Sequence, residues 1–299
     1  MHKSGFVNII GSPNVGKSTL MNSLVGERLS IISHKAQTTR HRIMGIVNGD
    51  DYQIVYSDTP GVLKPAYRLQ SAMMRFVDSA LDDADIILYI TDTVEPACKH
   101  PELLAKLQSL NVPIILVINK IDLSTQEHVQ ALMQRWAGAL PQARILPVSA
   151  LHGFNTSTLT EAVKELLPPS PPYFGKDELT DRSMRFIASE VIREQILTTY
   201  SKEVPYSVEV AVEEYREQPN IDRIRAIIYV DRESQRSIVI GHRGQKLKRV
   251  GTGARLELER FLQKKVYLEL HVKVDSNWRN DDSKLRRYGY PSGKSEQQK

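Results

Sequence analysis

The chain reads as a doubly wound α/β domain with a mostly parallel sheet, followed by a smaller α+β domain. Three observations predict this. Up to residue 170, short runs of Ile, Leu and Val alternate with amphipathic stretches, as expected for strands buried on both faces and joined by crossing helices. At Pro168-Pro169-Ser170-Pro171-Pro172 the proline density stops any helix and predicts a stiff, extended spacer. Beyond it, strands and helices follow without strict alternation. The expected boundaries are a first domain over 1–170, a proline-rich linker over 168–180, a second domain over 181–275 and a C-terminal tail over 276–299.

Taken in order, the first strand is expected at Phe6–Ile10 and the first helix at Ser18–Val25. Strands at Ile43–Val47 and Tyr52–Ser57 flank Asn48-Gly49, a dipeptide suited to a tight hairpin, so this pair adds an antiparallel edge. Helices at Leu69–Leu81, Pro101–Leu110, Glu127–Gly138 and Thr158–Leu167 then alternate with strands at Ile86–Thr91, Ile114–Ile118 and Ile145–Val148. The second domain should open with a helix over Asp181–Tyr200 and two strands, Ser207–Tyr215 and Arg225–Arg232. A short strand at Ser237–Ile240, a helix from Gln245 and a closing strand at Val266–Val274 complete it. The polar run after Pro291 is expected to be mobile.

Composition narrows the classes of function. At 299 residues, 41% apolar and 25% charged, the chain can bury two ordinary cores. Residues 1–180 carry 16 Lys/Arg and 17 Asp/Glu, a net of −1, whereas residues 181–299 carry 24 and 18, a net of +6. Such a split predicts that the second half meets a polyanion. Cys98 is the only cysteine, which excludes an intramolecular disulfide and a cysteine metal cluster and fits a reducing cytoplasm. No apolar run approaches the roughly 18 residues that span a bilayer, and a glycine loop interrupts Phe6–Ile10 too early for a signal peptide.

Gly11-Ser12-Pro13-Asn14-Val15-Gly16-Lys17-Ser18 matches the phosphate-binding pattern G-x-x-x-x-G-K-[ST], placed after an apolar strand and opening a helix. Glycines let backbone N–H groups curl around phosphate oxygens, and the helix start adds partial positive charge. Lys17 then supplies a point charge and Ser18 a hydroxyl for Mg²⁺, with Thr19 completing the set. A second Gly293-Lys294-Ser295 lacks the first glycine and the room for a helix. Asp58-Thr59-Pro60-Gly61 ends another strand, where the carboxylate can hold Mg²⁺ and the Gly61 N–H can reach a γ-phosphate. Asn119-Lys120-Ile121-Asp122 and Ser149-Ala150 end two more, at the carboxyl ends where open α/β sheets bind ligands. The Asp122 carboxylate can accept from two guanine N–H groups that adenine lacks, which predicts GTP over ATP.

In the second half, Gly241-His242-Arg243-Gly244 stands before a helix and reads as the G-x-x-G loop of a KH domain, which clamps about four nucleotides. Lys246, Lys248 and Arg249 join Arg243 in surrounding that loop with positive charge.

These motifs, together with Lys35-Ala36-Gln37-Thr38-Thr39-Arg40-His41-Arg42, resemble the Era family of bacterial GTPases. The resemblance continues through Asp181-Arg182-Ser183, Val204-Pro205-Tyr206-Ser207-Val208 and Leu268-Glu269-Leu270 in a type II KH arrangement. It implies that 35–42 is the first switch, with Thr39 favoured over Thr38 to close on Mg²⁺. It further implies binding of single-stranded RNA near the 3′ end of small-subunit ribosomal RNA, a role in small-subunit assembly, and a monomer in the cytoplasm with loose contact to the membrane face. Asn14 resembles the asparagine with which some relatives hold K⁺; a loop-bracing amide is the other reading. Val62 follows Gly61 where many GTPases carry a water-orienting glutamine, so slow intrinsic hydrolysis is expected. Arg40 is the residue on which an internal arginine finger would draw. The competing class is a passive RNA-binding scaffold with a purely structural nucleotide pocket.

Overall fold

The computed structural model describes residues 1–96 and 99–291; Cys98, the second Gly-Lys-Ser and the run after Pro291 lie outside them. It divides into two compact units. One comprises Met1–Ser30, Thr39–Leu63 and Met74–Asp181; the other comprises Ile31–Thr38, Lys64–Met73 and the described residues from Arg182 on.

The first unit is built on strands β1 (Lys3–Gly11), β2 (Ile43–Asn48), β3 (Tyr52–Asp58), β4 (Ile86–Asp92), β5 (Ile114–Asn119) and β6 (Arg144–Pro147). They form one sheet in the order β2-β3-β1-β4-β5-β6. Only β2 runs antiparallel, paired to β3 through the turn at Asn48-Gly49, where Gly49 N donates to Tyr52 O at 2.8 Å. The other five are parallel, so their carboxyl ends share one edge of the sheet. Helices α1 (Lys17–Val25), α2 (Arg68–Asp82), α3 (Pro101–Ser109), α4 (Gln126–Ala139) and α5 (Thr156–Leu166) provide the crossovers. In α4, Thr125 caps the first turn, and Val129, Leu132 and Trp136 fall on one buried stripe. Trp136 meets Tyr89 of β4 edge-on with ring centroids 5.6 Å apart, which ties the helix to the sheet.

The proline-rich stretch, expected as a stiff, extended spacer, is bonded to the first unit. It lies along the first unit: Ser4 N donates to Pro168 O, and Gln53 Oε1 accepts from Tyr173 N and Phe174 N at 2.7 and 3.0 Å. Phe6 and Tyr173 rings stand 4.8 Å apart, and Ile46 N donates to Leu179 O. Prolines lack N–H groups but keep their carbonyls, so such a run still accepts from a sheet edge.

The second unit contains α6 (Met184–Thr199), β7 (Val208–Arg216), β8 (Ile221–Val230), α7 (Glu233–Ile240), α8 (Gln245–Leu262), β9 (Lys265–Val274) and α9 (Asp282–Arg287). Its sheet has the order β7-β8-β9, antiparallel then parallel. Ile192 and Ile196 of α6 pack with Val250 and Ala254 of α8 over Val208, Ala226 and Ile228 of the sheet. The strand expected at Ser237–Ile240 is instead the end of α7. Its β-branched run suggests a strand, but Gln235 Oε1 accepts from Asp231 N and Arg232 N and closes a helical first turn. One turn later Val239 is buried beside it, which sets a period of four. The expected tail also begins later than residue 276. Trp278, Leu285 and Tyr290 are buried, with Trp278 Nε1 donating to Ser207 O at 3.0 Å.

Within this unit α6 holds the segment Ile31–Thr38. Arg193 is paired with Glu190, both buried, and donates to the carbonyls of Gln37 and Thr38. Glu194 Oε1 accepts from Ile32 N at 2.9 Å, and Lys35 Nζ donates to the carbonyls of Leu197 and Tyr200 at the end of the helix. Cations are favoured at that end, where carbonyls lack intrahelical donors.

Candidate nucleotide and nucleic-acid sites

Between β1 and α1 the chain turns through Asn14 (φ 67°) and Gly16 (φ 96°). No side chain caps α1, so its first N–H groups open onto the loop as an anion site. Glycine is required at Gly16 for conformation and for space, since a Cβ there would lie 2.2 Å from Asn119 Nδ2. Lys17, 6% exposed, donates from Nζ to Gly11 O at 3.2 Å and Ser12 O at 2.8 Å. Burial pulls its pKa down to about 8 against the attraction of Asp58 and Glu95. An anion in the loop would favour the charged form further.

At the end of β3 the Asp58 carboxylate is buried. Its Oδ2 accepts from Ser18 Oγ at 2.6 Å and Thr39 Oγ1 at 3.3 Å, and the two hydroxyls are 2.9 Å apart. Its Oδ1 has no hydrogen-bond partner among the described residues. Burial raises its pKa, opposed by Lys17 and the surrounding hydroxyls. An orphaned carboxylate oxygen beside two hydroxyls is an all-oxygen donor set of the kind that Mg²⁺ takes, so the residues fit that ion. Thr38 does not join them; its hydroxyl donates to Lys35 O at 2.6 Å. Gly61 approaches the loop so closely that a Cβ would stand 2.6 Å from Pro13 N, and Val62 N donates to Gly11 O at 3.0 Å. Thr59 is turned away from this cleft, its hydroxyl donating to Ile9 O at 2.7 Å, and Pro60 is buried. Arg40 is fully buried, a poor position for an arginine finger.

The other end of the cleft is built by β5 and the loop after β6. Asn119 bridges the two ends: its Nδ2 donates to Val15 O at 2.9 Å and its Oδ1 accepts from Ala150 N at 3.0 Å. Lys120 Nζ donates to Asn14 O and to Asp92 Oδ2, each at 2.6 Å. Asp122 is held by Ser149 Oγ at 2.5 Å, its side chain 23% exposed. A carboxylate oriented from below and open above can accept two parallel N–H groups from a ligand. Asp92 and His100 were not foreseen here; His100 Nε2 stands 3.0 Å from Ser12 Oγ, and burial lowers its pKa. Asp92 carried a signal, since it ends β4 on the ligand edge, but His100 carried none.

In the second unit, Gly241 (φ 70°), Arg243 (φ 48°) and Gly244 (φ 75°) make the turn into α8. A Cβ at Gly244 would meet nothing within 4 Å, so that face of the loop is open for a backbone to approach. His242, Arg243, Lys246, Lys248 and Arg249 are all exposed around it. A groove of about 370 Å³ runs from the loop between α8 and β9, lined among others by Leu247, Gly251, Arg255, Leu268 and Leu270. Apolar walls with cations at the rim suit bases inside and phosphates outside. The lining was legible in principle, through the four-residue spacing of 247, 251 and 255 and the alternation of 268 and 270.

A family model described as 50S ribosome-binding GTPase matches residues 6–120, and one described as KH domain matches residues 203–279. GTPase Era of Carboxydothermus hydrogenoformans is 45% identical over 292 residues, 97% of this chain and 98% of that protein. GTPase Era of Nitrosomonas eutropha is 44% identical, covering 97% and 98%. Among solved structures, Era in complex with MgGDPNP and nucleotides 1506–1542 of 16S ribosomal RNA superposes with a TM-score of 0.93 at 40% identity, over 97% of this chain and 99% of that one. An Aquifex aeolicus Era variant bound to GDP·AlF4⁻ gives the same TM-score and identity, over 96% and 99%.

Proposed function

The chain belongs to the Era family of GTPases, and from that premise we propose that it is a GTP-driven switch that binds the 3′-end region of small-subunit ribosomal RNA during small-subunit assembly. One observation supports the nucleotide half: Lys17 and Ser18, Asp58, and Asp122 follow the carboxyl ends of the parallel strands β1, β3 and β5, Thr39 joins Ser18 and Asp58 from the segment before β2, and Asn119 bonds to the Val15 and Ala150 backbone. The description of the first family model mentions the large subunit, but it covers residues 6–120 alone and so speaks for the GTPase fold. The full-length relative with RNA bound favours the small subunit.

In this reading the N–H groups of Asn14–Thr19 cradle the β- and γ-phosphates, and Lys17 leaves the carbonyls of Gly11 and Ser12 for their oxygens. Ser18, Thr39 and Asp58 would hold Mg²⁺, which supplies charge neutralisation on the phosphates. Asp122 selects guanine, while Asn119, Lys120, Ser149 and Ala150 fix its loop. Thr39 and Gly61 each close on the γ-phosphate side, so its loss frees both segments. Val62 offers no carboxamide to orient water, so intrinsic turnover is slow; K⁺ held through Asn14 is our candidate for the missing positive charge. RNA lies across Gly241–Gly244, with Arg243, Lys246, Lys248 and Arg249 on its phosphates. Cytoplasmic location as a monomer, with peripheral membrane contact, is proposed from the family resemblance; no described helix is long and apolar enough to cross a membrane.

Labelled GTP and ATP with Mg²⁺ test the switch. Saturable GTP uptake and phosphate release, both lost in Lys17→Ala, are expected. Equal uptake of ATP, or RNA binding without any GTP uptake, would leave only the RNA scaffold.

A further inference from the structure

Most cations of the second unit are matched to carboxylates: Arg236 to Glu233, Arg260 to Glu257, Arg255 to Glu259 and Lys264 to Asp222. Lys248 and Arg249, exposed on α8, have no ion-pair partner among the described residues. They also border a second concavity. A furrow of about 520 Å³ opens between α6 and α8, lined by Thr198, Thr199 and Gln195 on one side and Lys248, Arg249 and Thr252 on the other. Gly253 also lines it, and a Cβ there would stand 2.3 Å from Gln195 Oε1, so that side chain would have to shift.

The lining decides what fits. Three threonine hydroxyls and the carboxamides of Gln195 and Gln245 offer neutral donors and acceptors, two cations add charge, and no carboxylate lines the furrow to repel an anion. A protein partner would be anchored by aromatic or large apolar side chains in a desolvated pocket. Here Leu256 is the one large apolar residue. A sugar–phosphate backbone presents the complementary set: anionic oxygens for Arg249 and Lys248, and 2′-hydroxyls for the threonines and the amides.

Position decides where that backbone comes from. Lys248 and Thr252, one helical turn apart, line both this furrow and the groove between α8 and β9. The two concavities therefore share a rim. We infer that the furrow is a second RNA-backbone site, which takes the nucleotides continuing from the strand held in the groove. This rests on the RNA reading of the G-x-x-G groove and extends the footprint beyond the roughly four nucleotides that such a loop clamps. It also makes Lys248 the hinge point at which the strand changes sides of α8.

The test compares single-stranded RNAs from the 3′ end of small-subunit ribosomal RNA: a four-nucleotide oligomer, and the same oligomer extended by four nucleotides at its 5′ or its 3′ end. The wild type should bind one extended oligomer about tenfold more tightly, the gain of one or two charge-assisted contacts. Thr198→Glu combined with Thr199→Val, two positions that line the furrow and not the groove, should remove most of that gain and leave the four-nucleotide affinity within about twofold. Neither side chain is in the core, and a thermal melt of the double variant should match the wild type. If that gain persists in the double variant, or if four- and eight-nucleotide affinities fall together, the furrow is not a separate site. Failure of the wild type to bind the four-nucleotide oligomer would instead remove the groove reading on which the inference stands.

Discussion

Asp122 accepts from Ser149 Oγ with one oxygen while the other stands 3.8 Å from His152 Nε2, and the choice of base rests on the charge and acceptor geometry of this one carboxylate. Asp122→Asn keeps the shape but replaces one acceptor with a donor. GTP affinity should fall by about 10²-fold or more while xanthosine triphosphate gains, measured by competition; an unchanged guanine-to-xanthine ratio would remove the assignment. Gly251 illustrates the opposite trade. In the interior of α8 a glycine costs about 0.5–1 kcal/mol relative to alanine, yet a Cβ there would meet only Leu270 at ordinary contact distance. Conformation does not demand it; groove space does. Gly251→Ala should raise the melting temperature, and Gly251→Val should weaken RNA binding at least tenfold without unfolding the unit.

Two elements depend on buried charge. The Arg193–Glu190 pair lies inside the second unit with side chains 1% and 4% exposed, and its remaining donors hold the carbonyls of Gln37 and Thr38. Arg193→Met removes the cation that faces buried Glu190, which should cost about 3–5 kcal/mol. In the Arg193→Met, Glu190→Met double variant most of that cost should vanish while Ile31–Thr38 stays loosened, seen as faster amide exchange there. Equal destabilisation of single and double variants would argue against the pair. The α9 segment is held by Asp275, which takes Lys284, Arg287 and Tyr288 at 2.5 to 2.6 Å. Burial resists ionisation, but Lys284, Tyr288 and Arg287 outweigh it and hold the carboxyl below its ordinary value. A depressed folded pKa stabilises above the unfolded value near 3.8 and loses that stabilisation as pH falls below it. Amide exchange at Leu285 should therefore accelerate as pH drops below about 4 once intrinsic exchange is corrected, and Asp275→Asn should flatten that dependence.

For the whole molecule, charge divides the labour. The first 180 residues have a net charge of −1 and the rest +6, more than the whole excess of +5. In the second unit, cations away from the G-x-x-G loop and the start of α8 are paired with carboxylates, which leaves the unpaired positive charge beside that loop. RNA affinity should accordingly depend steeply on salt. Four phosphates neutralised by Arg243, Lys246, Lys248 and Arg249 give a slope of about −3 in log affinity against log salt. Arg243→Gln should lower the magnitude of that slope by a little less than one, and a slope near zero would place RNA elsewhere.

From residues alone came the alternation of strands and helices, the two-domain order, the phosphate loop, Asp58, the Asn119–Asp122 motif and the G-x-x-G loop. Each is local: a period, a turn or a short spacing constrains its own neighbourhood. Ser237–Ile240 escaped because four β-branched and small residues suit either structure, and the local capping contact of Gln235 with the backbone three and four residues before it chose helix. The packing of residues 168–180 on Gln53, the burial of Trp278 and the concavities flanking α8 lay further out of reach. These depend on residues more than a hundred positions apart in one case, and on the pairing of α6 with α8 in another. Sequence periodicity reports which face of an element is apolar; only the folded chain decides which surface that face meets and what space remains beside it.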